Sequence, residues 1–256
     1  MPRFARFRIL VVVLSLFAVP VPLLVAADGG GASPSIRPDV SYILIGFVGG
    51  FVRHDNPHHG PVTLAKRARQ YFPKDAHVQV FENRHRKDAL KTIVRLLDSN
   101  RDGMLSDDEK SRAHIMLFGQ SWGASAAVLL AEDLNRIGVP VMLTVQVDSV
   151  RKPWQHDDVI PDNVAAAANF YQPHGIIHGR PVIRAADDSK TQILGNYLFD
   201  YKKSPVKCEG MSWMDKTFTP GHMESECDPH LWGEVENLVR ERLAPEVTDF
   251  SVTPQP

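Results

Sequence analysis

The sequence predicts an α/β fold: a single domain built on a mainly parallel sheet with helices on both faces. Short apolar runs alternate along the chain with longer segments whose apolar residues recur at helical spacing. Strands separated by helices of this length pair in parallel through right-handed crossovers. The 256 residues, 43% of them hydrophobic and 23% charged, are typical of a globular domain with a full core.

Each element is predicted from its local pattern. Apolar runs predict strands at residues 42–48, 77–81, 114–118 and 139–147, with further candidates at 181–185 and 217–219. Helical spacing predicts helices at residues 61–72, 87–97, 122–137 and 229–243. Pro61 suits the first turn of the first helix, and Gly138 ends the third. In the stretch 149–176, a helix is expected at residues 163–170.

The N-terminal segment is expected to be a cleaved secretory signal peptide. Residues 1–8 carry three arginines and no acid, and residues 9–27 carry no charge at all. Small residues precede Asp28, so cleavage is expected after Ala27. An uncleaved anchor is the alternative, since this apolar stretch could just span a bilayer, but Pro20 and Pro22 would break such a helix.

The remaining chain is expected to begin with a linker at 28–40, continue as one domain at 41–245, and end in a loose tail at 246–256. Lysine and arginine number 29 against 30 acidic residues, so the chain has no basic excess with which to neutralise phosphates. Nucleic-acid binding is therefore excluded. No later segment is long and apolar enough for a stable membrane span, and a secreted or periplasmic protein is expected.

The strongest chemical signal is Gly-Gln-Ser-Trp-Gly at residues 119–123, between a predicted strand and a predicted helix. The pattern G-x-S-x-G in this context forms a sharp turn that holds a serine hydroxyl above the end of the strand. The glycines are needed because bulkier neighbours would collide with the adjoining strand and helix. Ser121 is the candidate nucleophile, and the N–H of Trp122 can point at a developing oxyanion.

Through this motif and the strand–helix order around it, the sequence resembles the α/β-hydrolase superfamily, which includes serine esterases, thioesterases and lipases. The resemblance implies a serine hydrolase that needs no organic cofactor. It also implies that an acid and then a histidine follow Ser121 in chain order. The second oxyanion donor is expected in the loop after the first strand, at Phe47 and Val48.

His222 is the expected base, because the resemblance places the histidine in a loop just before the terminal helix. His230 is the rival, but it falls in the first turn of that helix. Asp148 is the favoured acid: it ends the strand 139–147, as in the thioesterase-like branch of the superfamily. Asp187 and Asp188, one strand later, are the alternatives.

A second group of histidines, His54, His58 and His59, lies in the segment HDNPHH. Their clustering resembles a metal site. A segment of this composition is more often a solvated turn, however, and a solvated turn is what we expect here.

Residues 98–109 match the calcium-loop pattern D-x-[DN]-x-[DN]-G-x5-E at every position. The predicted ligands are Asp98, Asn100, Asp102, Met104 through its carbonyl, Ser106 and Glu109. With a helix on each side, the segment resembles a single EF-hand. The loop leads into the strand 114–118 and so lies at the amino edge of the sheet, whereas active sites gather at the carboxyl edge. The calcium ion is therefore expected to be structural.

The two cysteines, Cys208 and Cys227, bracket His222 in the sequence. In an oxidising compartment they are expected to form a disulfide, which stabilises by about 3 kcal/mol for a loop of this length. Two free, buried thiols are the alternative.

These expectations together describe an exported serine hydrolase that cleaves carboxylic esters of small molecules or lipids through an acyl-enzyme. Thioesters are a further possible substrate class. Two other functions stay open at this point: a non-enzymatic calcium-binding module on a hydrolase-like scaffold, and a peptidase of the same superfamily.

Overall fold

The computed structural model describes residues 41–153, 155–210 and 219–243. Within them, a six-stranded sheet has the order β2–β1–β3–β4–β6–β8, and every neighbouring pair runs parallel. Two further short strands, β5 and β7, pair with each other. The strands are β1 Ile43–Val48, β2 His77–Glu82, β3 Ile115–Gln120, β4 Val141–Val147, β5 Val159–Ile160, β6 Val164–Tyr171, β7 Arg184–Ala185 and β8 Gln192–Leu198.

Helices cover both faces of the sheet, which confirms the predicted fold class. Helices α2 and α4 pack on one face, and α1 and α6 pack on the other. The helices are α1 Gly60–Tyr71, α2 Arg86–Leu97, α3 Asp107–Ser111, α4 Trp122–Arg136, α5 Pro220–Cys227 and α6 Pro229–Arg240, and a 3₁₀ turn spans Asn83–His85. In the described part of the chain, no helix is long and apolar enough to cross a membrane.

The central strands β1, β3 and β4 consist largely of apolar residues because both faces of the sheet are covered. In β1, Ile45 faces the core beneath α2 and α4, whereas the neighbouring Leu44 faces the core beneath α1 and α6. Both side chains are fully buried. This two-sided burial fixes the register of the strands, and with it the level at which each strand ends.

The predicted helix at 163–170 is wrong, because this segment forms strand β6 between β4 and β8. Ala167 and Ala168 on β6 are fully buried on opposite faces of the sheet. Alanine favours helices in isolation, but pairing and burial on both sides outweigh a preference of a fraction of a kcal/mol per residue. Strand β8, at the sheet edge with several exposed residues, was not predicted.

The other predicted elements agree with the structure to within a few residues, although the candidate strand at 181–185 is reduced to Arg184–Ala185. The candidate strand at 217–219 falls mostly outside the described residues. The expected signal peptide at 1–27, the linker at 28–40 and the C-terminal tail at 246–256 also lie outside the described residues. All described residues belong to the expected domain at 41–245.

Candidate active site

The turn after β3 holds Ser121 in a backbone conformation that few residues adopt. Its φ of 56° and ψ of −125° lie outside the regions common for residues with side chains. A β-carbon on Gly119 would collide with the backbone of Gly123, and one on Gly123 would collide with the carbonyl oxygen of Phe47. Both glycines are therefore required by close backbone approach, and the turn places Ser121 at the first turn of α4.

A continuous hydrogen-bonded chain joins Ser121, His222 and Asp148. The Ser121 hydroxyl Oγ lies 2.9 Å from Nε2 of His222, and Nδ1 of the same ring lies 2.6 Å from Oδ2 of Asp148. The carboxylate is fully buried, and the serine and histidine are 7% and 8% exposed. In this arrangement the imidazole can take the serine proton, while the carboxylate fixes the ring tautomer and stabilises the imidazolium.

The three groups meet because of where their elements end. Ser121 follows β3 and Asp148 follows β4, and these adjacent parallel strands end at the same edge of the sheet. His222 approaches from α5. It was expected in a loop, but the structure places it in the first turns of this short helix, which begins at Pro220.

The alternative acids do not reach His222. Asp187 turns back on its own loop, where its Oδ1 accepts hydrogen bonds from the backbone N–H and the hydroxyl of Ser189 at 2.9 and 2.6 Å. The Ser189 hydroxyl is the main reason that the pKa of Asp187 lies below its usual value. Asp188 is exposed to solvent.

Gln172 is a residue of the site that the sequence analysis missed. Its backbone N–H donates to Oδ1 of Asp148 at 3.1 Å, and its side-chain amide donates to Oδ2 at 3.0 Å. Together with His222, these donors offset the cost of burying a charged carboxylate. Gln172 follows the end of β6, so it could have been found had that segment been predicted as a strand.

The predicted oxyanion donors are backbone N–H groups at the ends of two neighbouring elements, α4 and β1. Trp122 begins α4 directly after Ser121, as expected. Phe47 and Val48 end β1 with their side chains fully buried, and pairing with β2 continues as far as Val48 and Glu82. The cavity wall after β1 begins at Gly49, the residue that follows Val48.

The turn after β1 is held in place by Asn83. The side-chain amide of Asn83 donates to the carbonyl oxygen of Gly50 at 2.6 Å and to that of Val48 at 3.4 Å. Asn83 is itself held by Lys152, whose Nζ donates to Oδ1 of Asn83 at 2.8 Å. These bonds fix the backbone of the turn beside Ser121 before any substrate is present.

Ser121 and His222 open into a cavity of about 610 Å³. Apolar side chains form much of its wall: Val52, Trp122, Val150, Ile177 and Met223. At the rim, Phe51 is 84% exposed and packs edge-to-face on the ring of Trp122, with centroids 5.7 Å apart. A cavity of this size and lining suits a small organic molecule.

The cavity also contains a second histidine–carboxylate pair. Nδ1 of His59 lies 2.7 Å from Oε1 of Glu226, and the two residues are only 6% and 3% exposed. The expectation that all three N-terminal histidines form a solvated turn is therefore wrong for His59, although His54 and His58 are exposed. His59 is buried because the segment leads directly into α1 against α5 and α6.

A disulfide joins Cys208 to Cys227, the last residue of α5, with their Cα atoms 5.7 Å apart. The predicted pair is thus present as a bridge. Because α5 also carries His222 and Glu226, the bridge ties the helix that supplies the imidazole to the preceding loop.

The acidic loop lies between α2 and α3, away from the cavity. Oδ2 of Asp98 accepts from the N–H of Gly103 at 3.1 Å, and Oδ1 of Asp102 accepts from the N–H of Met104 at 2.8 Å. Gly103 has a φ of 82°, a left-handed conformation that favours glycine. Oδ1 of Asp98 is buried and has no hydrogen-bond partner.

Glu109, the last residue of the acidic loop, is engaged by two serines. Its Oε1 accepts from Ser99, and its Oε2 accepts from Ser106, in each case from both backbone N–H and hydroxyl at 2.8–2.9 Å. These bonds, that from the Ser106 backbone foremost, lower the pKa of Glu109 to about 2. Across the described residues, no three His, Cys, Asp or Glu side chains are grouped so that they could hold a metal ion.

A parallel sheet that carries a serine on a tight strand–helix turn, followed in the chain by an acid and a histidine, is an α/β-hydrolase-like fold. No protein-family model matches the sequence, and no curated protein matches it significantly. Among solved structures, the chain is similar to human thioesterase 2, with 11% identity over 83% of this chain and 100% of that chain and a TM-score of 0.39. It is also similar to a dienelactone hydrolase from Anabaena variabilis, with 12% identity over 80% of this chain and 87% of that chain and a TM-score of 0.36.

Proposed function

We propose that the protein is an exported serine hydrolase that cleaves carboxylic esters. The observation that carries this proposal is the hydrogen-bonded chain from Ser121 through His222 to Asp148, which opens into a largely apolar cavity. Export rests on the sequence of residues 1–27 alone, which lie outside the described residues.

In the proposed reaction, Oγ of Ser121 attacks the ester carbonyl carbon as its proton passes to Nε2 of His222. The negative charge that develops on the carbonyl oxygen is stabilised by the N–H of Trp122 and by the turn at Gly49 and Gly50. The imidazolium then protonates the departing alkoxide, which leaves an acyl-enzyme. A water molecule, deprotonated by His222, releases the acid, and Asp148 orients the ring throughout.

The substrate proposed is an ester of a small molecule or a lipid. Its apolar part would pack against the wall that includes Val150, Ile177 and Met223. Thioesters would undergo the same chemistry, but the common thioester carriers are intracellular, so an oxygen ester fits an exported enzyme better.

We also propose that the loop 98–109 binds a structural calcium ion. Support comes from the match of its sequence to the calcium-loop pattern and from the buried, unpartnered Oδ1 of Asp98. Asp98, Asn100, Asp102, Met104, Ser106 and Glu109 would be the ligands. Glu109 would exchange its hydrogen bonds to Ser99 and Ser106 for bonds to the ion. The loop precedes β3 at the amino edge of the sheet, so the ion would take no part in the reaction.

The decisive test of the proposed function is covalent labelling of the folded protein with a fluorophosphonate probe. Wild type should be labelled, and Ser121→Ala should not be, because the probe reacts only with an activated serine. Ser125→Ala is the matched control: Ser125 lies one turn further along α4, where its hydroxyl donates to Gln155, and its loss should leave labelling intact. Absence of labelling in folded wild type would refute the enzyme and favour the calcium-binding module.

A panel of esters and peptides then separates esterase from peptidase. We expect ester hydrolysis that depends on Ser121 and negligible cleavage of peptides. Faster cleavage of peptides than of esters would show that the peptidase alternative is correct.

A further inference from the structure

The pair formed by His59 and Glu226 has no part in the proposed reaction, yet both residues line the same cavity as Ser121 and His222. Its Nδ1–Oε1 distance of 2.7 Å is that of a strong, charge-assisted hydrogen bond. Buried ionisable groups of this kind are costly unless they are paired, and a pair can be replaced by apolar residues with little loss of stability. Its place on the cavity wall therefore calls for a role in binding.

Several contacts hold the pair rigidly. Glu226 precedes Cys227, which is bridged to Cys208. The indole Nε1 of Trp232 donates to the carbonyl oxygens of Ser225 and Glu226, both at 3.0 Å. On the other side, Gly60 lies against the indole ring so closely that a β-carbon there would collide with it. This close approach brings the adjacent His59 to Glu226, and the pair is thereby organised before any ligand arrives.

Each member of the pair keeps one polar atom for the cavity. Nε2 of His59 and Oε2 of Glu226 have no hydrogen-bond partner among the described residues. Neither atom is fully buried, so both are accessible to a ligand. Oε2 can only accept a hydrogen bond. Nε2 donates when the imidazole is charged and accepts when it is neutral with its proton on Nδ1.

We infer that His59 and Glu226 form a subsite for a hydroxyl group, so that the substrate is a hydroxylated ester rather than a plain alkyl ester. This inference rests on the proposed ester hydrolysis at Ser121. When the imidazole is charged, a hydroxyl donates to Oε2 of Glu226 and at the same time accepts from Nε2 of His59; when it is neutral, the single hydroxyl proton goes to one of these two acceptors. A substrate carboxylate would be repelled by Glu226, and an alkyl group would leave both polar atoms unpaired.

The spacing along α5 indicates where this hydroxyl lies in the substrate. His222 and Glu226 are four residues apart and so share one face of the helix, about 6 Å from each other along its axis. The subsite is thus separated from the catalytic imidazole by about one helical turn. A hydroxyl a few bonds from the scissile carbonyl, in either the acid or the alcohol, spans that distance.

The test compares esters of matched shape on the wild-type protein. In the acyl series, para-nitrophenyl β-hydroxybutyrate is compared with para-nitrophenyl isovalerate, in which a methyl group replaces the hydroxyl. In the alcohol series, hydroxyethyl butyrate is compared with propyl butyrate. We expect kcat/KM to favour the hydroxylated ester by about 10- to 100-fold in one of the series, the effect of a hydrogen bond to a charged group.

Glu226→Gln should reduce this preference about tenfold or more, because an amide replaces the charged acceptor. Glu224→Gln is the matched control on the same helix. Glu224 accepts from the backbone N–H of Val206 and does not line this cavity, so the preference should persist. The rate of Ser121 labelling by the fluorophosphonate probe reports whether each variant is folded and active.

The outcomes separate this inference from the proposed function. Ser121 labelling and ester turnover with no preference for either hydroxylated ester would overturn the subsite and leave the hydrolase standing. A stronger preference for the corresponding β-amino ester would also overturn it, because the pair would then be a cation site. Absence of both labelling and turnover would overturn the proposed function and the subsite with it.

Discussion

One edge of the parallel sheet carries the serine motif at residues 119–123, and the other carries the acidic loop at residues 98–109. The two sites are built in different ways. At the carboxyl edge, Ser121, Asp148 and His222 come from separate segments, and 101 residues separate the serine from the histidine. At the amino edge, the carboxylates of Asp98, Asp102 and Glu109 accept hydrogen bonds from within residues 98–109, and Oδ1 of Asp98 alone among the buried side-chain oxygens of the loop has no partner in the described part of the chain. The first arrangement depends on the sheet, whereas the second is local.

The difference has consequences for the energetics of the two edges. The carboxyl edge buries a carboxylate and two partners in a fixed geometry, so small changes there should affect both activity and stability. The amino edge is largely exposed, with Asn100, Asp102 and Met104 open to solvent, so changes there should alter stability modestly and activity hardly at all. Four experiments probe this contrast.

The largest effect is expected from Asp148→Asn at the carboxyl edge. The amide cannot hold His222 in the required tautomer, and kcat for an ester should fall by about 10⁴-fold with little change in KM. Steady-state kinetics of the purified variant measure this. Asp187→Asn is the control and should keep wild-type kinetics, and an equal loss in that variant would contradict the assignment of Asp148.

Removing the disulfide should have the next largest effect. The double variant Cys208→Ser/Cys227→Ser loses about 3 kcal/mol, which lowers the melting temperature by about 6–12 °C for a domain of this size. Thermal unfolding with and without a reductant measures this. Reductant should destabilise wild type but not the double variant, and an unchanged melting temperature in both would show that the bridge does not constrain α5.

A matched pair of glycine substitutions compares the two edges directly. Gly123→Ala introduces a collision with the backbone of Phe47, which should cost about 1–3 kcal/mol or more. Gly103→Ala meets no atom within 4 Å, so only its positive φ opposes the change, at about 1 kcal/mol. Urea unfolding gives both values. If Gly103→Ala lost more free energy of unfolding than Gly123→Ala, the proposed contrast between the two edges would be contradicted.

The smallest effect is expected from calcium. If the loop binds the ion with an affinity of about 1 mM, then about 10 mM calcium should stabilise the protein by about 1.4 kcal/mol and raise the melting temperature by about 3–6 °C. Glu109→Gln should remove this shift. Ester turnover at low temperature should be the same with calcium or with a chelator, and a loss of turnover without a loss of stability would rule out a structural role.

Local patterns were sufficient for much of the fold. The apolar runs of β1, β3 and β4 and the helical spacing of α1, α2 and α4 were predicted to within a few residues, because each pattern matches the burial that the element experiences. The pattern of β6 was not sufficient to predict a strand, because its alanines suit a helix as well as a crowded central strand. That error also concealed Gln172, whose position follows directly from the end of β6.

The sequence by itself determined the parallel fold class, the strained turn at Ser121 and the position of Asp148 at a strand end, because these depend on short-range patterns and on the polarity of strands. Only the tertiary structure decided that α5 carries His222 and that His59 meets Glu226 within the cavity. It also decided that Gly49 and Gly50, which follow β1, line the same cavity as Ser121. These features arise where distant segments pack together, and the contacts of packed side chains are not encoded in the pattern of any one segment.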